Sequence, residues 1–190
     1  MPALSLRFIQ KALIQSIKLD KPVKELQDYD QRLMAILYRH LAVLTCWCTI
    51  NLLSGLIGLV IGQGSWFYFF MMNGSWAIMN SLVVLWIYRH ISEQRFRLEP
   101  ASKRLKVQRH VETMLVINIV LDLLYIVFSW LMFSWSKAET GMLHILWLGF
   151  SWSVMVQGAY LLLQDLYFYR LHRLNIKQTR PFLVAIPTGK

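Results

Sequence analysis

Between Gly149 and Arg170 the chain reads GFSWSVMVQGAYLLLQDLYFYR, an apolar run long enough to cross a bilayer that still carries Gln157 in its body and Asp165 near its end. Lipid offers neither group a hydrogen-bond partner, so a helix of this kind needs neighbours that do. Three earlier apolar runs each bring a candidate: Asn51 in the first, Asn80 in the second, Asn118 and Asp122 in the third. The pattern predicts an all-α, integral membrane four-helix bundle, built as two helical hairpins around an interior polar layer.

The spans fall at roughly 41–61, 66–88, 113–133 and 144–167. Each holds about twenty residues, which at about 1.5 Å of rise per residue crosses the roughly 30 Å of hydrocarbon in a bilayer. Composition agrees, since 56% hydrophobic and 14% aromatic residues is too apolar for a soluble domain of 190 residues. The first two spans are joined by the turn Gly62–Gln63–Gly64–Ser65, the last two by a loop expected over Ser134–Met142, and the middle pair by a basic segment, 89–112, with Pro100 as its expected break.

Charge gives the sidedness. Every Lys and Arg except Lys137 lies before the first span, between the second and third, or after the fourth, so one face of the membrane receives nearly all of the positive charge. The positive-inside rule puts both termini and the middle segment in the cytoplasm. Trp66, Trp130, Trp135 and Trp147 mark the outer interface and Tyr38, Tyr88, Tyr167 and Tyr169 the inner one. The formal charge of +10 is what such cytoplasmic segments require, and its segregation between apolar runs argues against nucleic acid as a partner.

The basic segments have their own patterns. In residues 1–40, Leu6, Ile9, Leu13 and Ile17 share one helical face with Arg7, Lys11 and Lys18 at its edge, the pattern of an amphipathic helix lying against anionic lipid or a partner's flank. Pro22 is expected to stop that helix. A basic tail over 170–190 begins with Arg170 and Arg173, placed like the N-terminal cations to bind lipid or a partner.

Counted inward from the basic side, Asn51 lies about 15 Å deep, Asn80 about 12 Å, Asp122 about 13 Å and Gln157 about 14 Å, so every helix contributes one polar group near the midplane. Asn118 stands one turn nearer the cytoplasm than Asp122, and Asp165 reaches the inner interface. Three roles fit this layer: hydrogen bonds that fix helix register, each worth about 1 kcal/mol, a ligand or pigment pocket, or a proton or cation site at Asp122 approached through Asn118 and Asp165.

Enzymatic chemistry has little to stand on. Cys46 and Cys48, two apart on one helix, face different ways and share neither a disulfide nor a metal. His40, His90, His110 and His172 sit at helix ends, three of them beside a preceding Arg, which disfavours a metal or haem and leaves them ordinary interfacial residues. The chain has no HExxH, phosphate-binding glycine loop or GxSxG.

The segments NGSWAIMN (Asn73–Asn80), INIVLDLLY (Ile117–Tyr125) and VQGAYLLLQD (Val156–Asp165) resemble a family of uncharacterised small four-span bacterial membrane proteins. The resemblance covers spans two to four and implies a bacterial inner membrane, or an equivalent internal or photosynthetic one, without implying an activity. Together these features lead us to expect a non-catalytic accessory subunit of a larger membrane complex. Its aromatic-rich helices would face lipid, other subunits, or an apolar cofactor such as a chlorophyll-type pigment or a quinone. The rival expectation is a small homodimeric, proton-coupled carrier using Asp122 and its polar neighbours.

Overall fold

The structure, a computed structural model, describes residues 3–94 and 101–183, with side chains placed over 24–89 and 106–181 apart from Leu26 and Trp86. Four helices make up the described chain: α1 (Ala3–Ile61), α2 (Ser65–Gln94), α3 (Ala101–Ala138) and α4 (Gly141–Leu183). All four are long and apolar enough to cross a membrane.

Two glycines close the hairpins. Gly64 and Gly141 have φ of 57° and 63°, the left-handed region where a Cβ is costly, Gly64 just before α2 and Gly141 as the first residue of α4. The α3–α4 turn is shorter than the expected Ser134–Met142 loop: α3 continues through Ala138, leaving only Glu139 and Thr140 outside a helix. Nothing between 134 and 138 breaks a helix, and His144 Nδ1 lies 2.6 Å from Ser136 O, tying the start of α4 to the last turn of α3.

Two of the helices are also longer than a bilayer crossing requires. At 59 residues α1 is about 88 Å long, and α4 at 43 residues is about 64 Å, each at least twice the hydrocarbon thickness. The expected stop at Pro22 does not occur. A proline costs an interior helix about 3 kcal/mol, which disfavours continuity without forbidding it, and α1 runs through that position unbroken. Likewise, Arg170, Arg173, Lys177 and Arg180 lie on α4 itself rather than in an irregular tail, because Leu, Arg, Lys and Gln are good helix formers and no glycine intervenes. Much of the basic 89–112 segment is helical too, at the end of α2 and the start of α3; Pro100 lies outside the described residues.

α1 packs on α2 and α3 on α4, while α4 also touches α1 and α2. It is the helix around which the others gather. Small residues permit the closest approaches: a Cβ on Gly55 would lie 2.7 Å from the Gly74 Cα, so α1 and α2 meet backbone to backbone. Inside and outside are inverted relative to a water-soluble bundle. Buried polar side chains outnumber buried apolar ones among the described residues, while Leu, Ile, Val, Phe and Trp side chains cover the outer faces. In lipid the hydrophobic effect no longer selects the interior, and polar groups seek one another there.

Candidate functional site

The interior polar groups form a column along α4. Gln157, with no exposed surface, is its centre. The Gln157 amide nitrogen donates to Asn51 Oδ1 at 2.7 Å and to Asn73 Oδ1 at 2.9 Å, and its carbonyl accepts from Trp47 Nε1 at 2.8 Å. Ser153 Oγ donates to the same Asn73 oxygen at 2.7 Å, while Asn51 Nδ2 donates to the Trp47 carbonyl at 2.8 Å. Trp47 also lies flat on Tyr160, ring centroids 3.7 Å apart. These contacts join α1, α2 and α4.

Two of the six residues expected in the polar layer, Asn51 and Gln157, are thus in direct contact. Asn80 is half-buried and stands outside this network; Asn73, two turns earlier on α2, occupies the place expected of it. Depth counting assumes four helices aligned at one level, and α2 is displaced along the bundle axis by about two turns, roughly 10 Å, relative to that assumption. Asn118 is exposed on the outer face of α3, so it does not lead toward Asp122. Asp122 is buried on the side of α3 that meets α4: a Cβ on Gly158 would sit 3.1 Å from the Asp122 carbonyl oxygen.

Asp165 opens a second cluster nearer the basic end. Its Oδ1 lies 3.4 Å from His40 Nε2, and the His40 ring stacks on Phe168 with centroids 4.3 Å apart. His172, one turn beyond Phe168, is fully buried. His40 and His172 therefore line the interior instead of standing as plain interfacial histidines, whereas His110 is exposed. Among the described residues no group of three or more His, Cys, Asp or Glu side chains is arranged to hold a metal. Cys46 is exposed and Cys48 buried, both as free thiols.

Beyond the second cluster α1, α3 and α4 form a polar stem. Tyr29 OH donates to Gln108 Oε1 at 3.3 Å, and Gln108 Nε2 donates to Glu112 Oε1 at 2.9 Å and to the His172 carbonyl at 3.1 Å. Glu112 stands 3.9 Å from Arg173, a long ion pair whose arginine is largely exposed and which adds little. One layer further, Arg32 Nε donates to Asn175 Oδ1 at 2.8 Å, and its Nη2 donates to Glu25 at 2.6 Å and to Thr179 Oγ1 at 3.1 Å. Arg170 is exposed, and the side chains of Arg7, Lys11 and Lys18 lie outside the described residues.

Sequence reading missed Trp47, Asn73, Ser153, His40, Gln108 and the stem residues. A signal for the α4 members was present: Ser153, Gln157, Gln164, Phe168, His172, Asn175 and Thr179 follow one another at spacings of three, four or seven, one helical stripe continuing past the point where the fourth span was ended.

Four helices long and apolar enough to cross a membrane, apolar outward and hydrogen-bonded inward around a polar column of side chains, define an all-α four-helix bundle. A family of unknown function (DUF6992) matches residues 43–166, and the chain belongs to it. The match takes in the first span as well as the three motif segments, and it includes both the Gln157 network and Asp122. No curated protein and no solved structure matches the chain.

Proposed function

We propose that the protein is a non-catalytic accessory subunit of a larger membrane complex, with its basic end in the cytoplasm. The observation that carries this reading is the Gln157 network, in which groups from three helices use one another as partners, as side chains that fix helix register do. The stem supports it: α1, α3 and α4 extend a polar, cross-linked surface beyond the membrane, with Lys106, Arg109, Arg170, Arg173, Lys177 and Arg180 on them and most of these exposed. Such a surface suits anionic lipid headgroups and acidic faces of neighbouring subunits. Trp66, Trp130 and Trp152 are all more than half exposed and would pack against lipid, a neighbouring helix, or an apolar cofactor such as a quinone or chlorophyll-type pigment. The resemblance noted above favours a bacterial inner membrane or an equivalent internal one.

The test is purification of the tagged full-length chain in mild detergent, with mass spectrometry for partners and an absorption spectrum of the same sample. Co-purification of a larger assembly in fixed stoichiometry is expected. A colourless homodimer without partners would overturn the proposal.

One observation favours a second reading. Asp122 Oδ2 has no hydrogen-bond partner within the protein, as suits a carboxyl that exchanges protons in a small homodimeric carrier. Under that reading Asp122→Asn abolishes proton-coupled flux in proteoliposomes, whereas an accessory subunit carrying it still assembles.

A further inference from the structure

The polar column divides into a part that satisfies itself and a part that does not. At Gln157 both the amide nitrogen and the carbonyl have partners. Toward the basic end, Asp122 Oδ2, both amide atoms of Gln164 and both ring nitrogens of His172 are buried without a protein partner. These residues are 3%, 6% and 0% exposed. An imidazole always carries at least one N–H to donate, and a glutamine amide has two hydrogens to donate and a carbonyl to accept. Leaving such groups unpaired is costly, and buried polar atoms that the protein does not satisfy are met by ordered water where the surroundings are polar.

Helix geometry lines these groups up. Gly158, Asp165 and His172 recur at intervals of seven residues, two turns, and so share one face of α4. Gly158 brings that face against α3 at Asp122. From α1, His40 reaches the same face by pairing with Asp165 and stacking on Phe168. Gln164 precedes Asp165 about 100° round the helix, on the stripe it shares with Phe168 and His172. The successive levels of His172, Asp165 and Gly158 are about 10 Å apart along α4, a gap that about three hydrogen-bonded waters span. Trp76 Nε1, the remaining buried atom without a partner, is on α2 against Tyr125 and is not part of this face.

We propose that the α1–α3–α4 interface holds a file of water that enters at the basic end beside His172, passes Gln164 and the His40–Asp165 pair, and ends at Asp122. The ligand is water, and the Gln157 network is the seal that keeps the file from continuing across the membrane. This half-channel requires no transport and stands apart from both readings given above.

Two measurements test it on the full-length chain in phosphatidylcholine–phosphatidylglycerol nanodiscs. In hydroxyl-radical footprinting of the unaltered protein, His172 should be oxidised within about threefold of the exposed His110, because the radical forms from water touching the ring. No modification of His172 while His110 is labelled overturns the water file. In a chain carrying Cys46→Ser and Cys48→Ala, the single substitutions His172→Cys, Gln164→Cys, Asp122→Cys and Gln157→Cys are exposed to a charged, membrane-impermeant thiol reagent. The first three should react at least about tenfold faster than the last, since the reactive thiolate forms only where water reaches it. Equal reactivity at 157 and 122 overturns the seal, and silence at both 164 and 122 overturns the file. Where a variant does not fold, the footprint of the unaltered chain decides.

Discussion

Gln157 on α4 and Asn51 on α1 meet at 2.7 Å across the centre of the bundle, 106 residues apart in sequence. The contact matters because neither partner stands alone: the same glutamine nitrogen reaches Asn73 on α2, and its carbonyl holds the Trp47 indole. Replacing Gln157 with Leu therefore strands Trp47 Nε1 and leaves both asparagines without their shared donor. We expect a loss of about 1–3 kcal/mol, read as a lowered midpoint in detergent denaturation.

Asp122 separates two kinds of polar residue. Asn keeps the shape and part of the hydrogen bonding, so Asp122→Asn should leave the thermal midpoint of the purified protein nearly unchanged. Asp122→Leu places a branched apolar chain in a polar seam beside Gly158 and should lower stability by about 1–3 kcal/mol. Equal midpoints for the Leu variant and the unaltered protein would count against a polar column at this level.

Arg32 is the cross-link of the stem, bonded to Glu25, Asn175 and Thr179 at once. Arg32→Ala should loosen α4 from about Asn175 onward without disturbing the membrane core. Hydrogen exchange of amides over 172–183 should rise about tenfold, in keeping with a loss of the order of 1.4 kcal/mol, while amides around Gln157 stay protected.

Gly55 tests backbone packing rather than polarity. A valine there drives its side chain into the Gly74 backbone, already 2.7 Å from an added Cβ, so α1 and α2 must part. Gly55→Val should cost about 1–3 kcal/mol or more and reduce the yield of folded, monodisperse protein, whereas Gly64→Ala, at the exposed turn, should cost only the strain of its positive φ.

The helical character, the four apolar helices and the need for interior partners were legible because each rests on local chemistry: twenty apolar residues, a glycine turn, a buried amide. The identity of the partners was less so. Asn80 and Asn118 qualify by type and by counted depth, which Asn73 does not, yet rotation and axial shift of α2 and α3 decide which of them turns inward, and those depend on contacts such as Gly55 with Gly74. His40 and His172 were read as interfacial because each span was ended where hydrophobicity ended. The helices themselves do not stop there, since Arg, Lys and Gln propagate a helix readily once the membrane has nucleated it.

The continuity of α4 has a mechanical meaning. A helix is stiff along its axis, every turn hydrogen-bonded to the next, and Gln157 and Thr179 are fixed to one such rod about 33 Å apart. Because the same rod is clamped to α1 at both places, through Asn51 at the centre of the bundle and through Arg32 in the stem, the two helices cannot slide past each other at one level and stay in register at the other. Whatever displaces the stem by the pitch of a turn must break the hydrogen bonds at the centre of the bundle as well, so the two ends hold or release together.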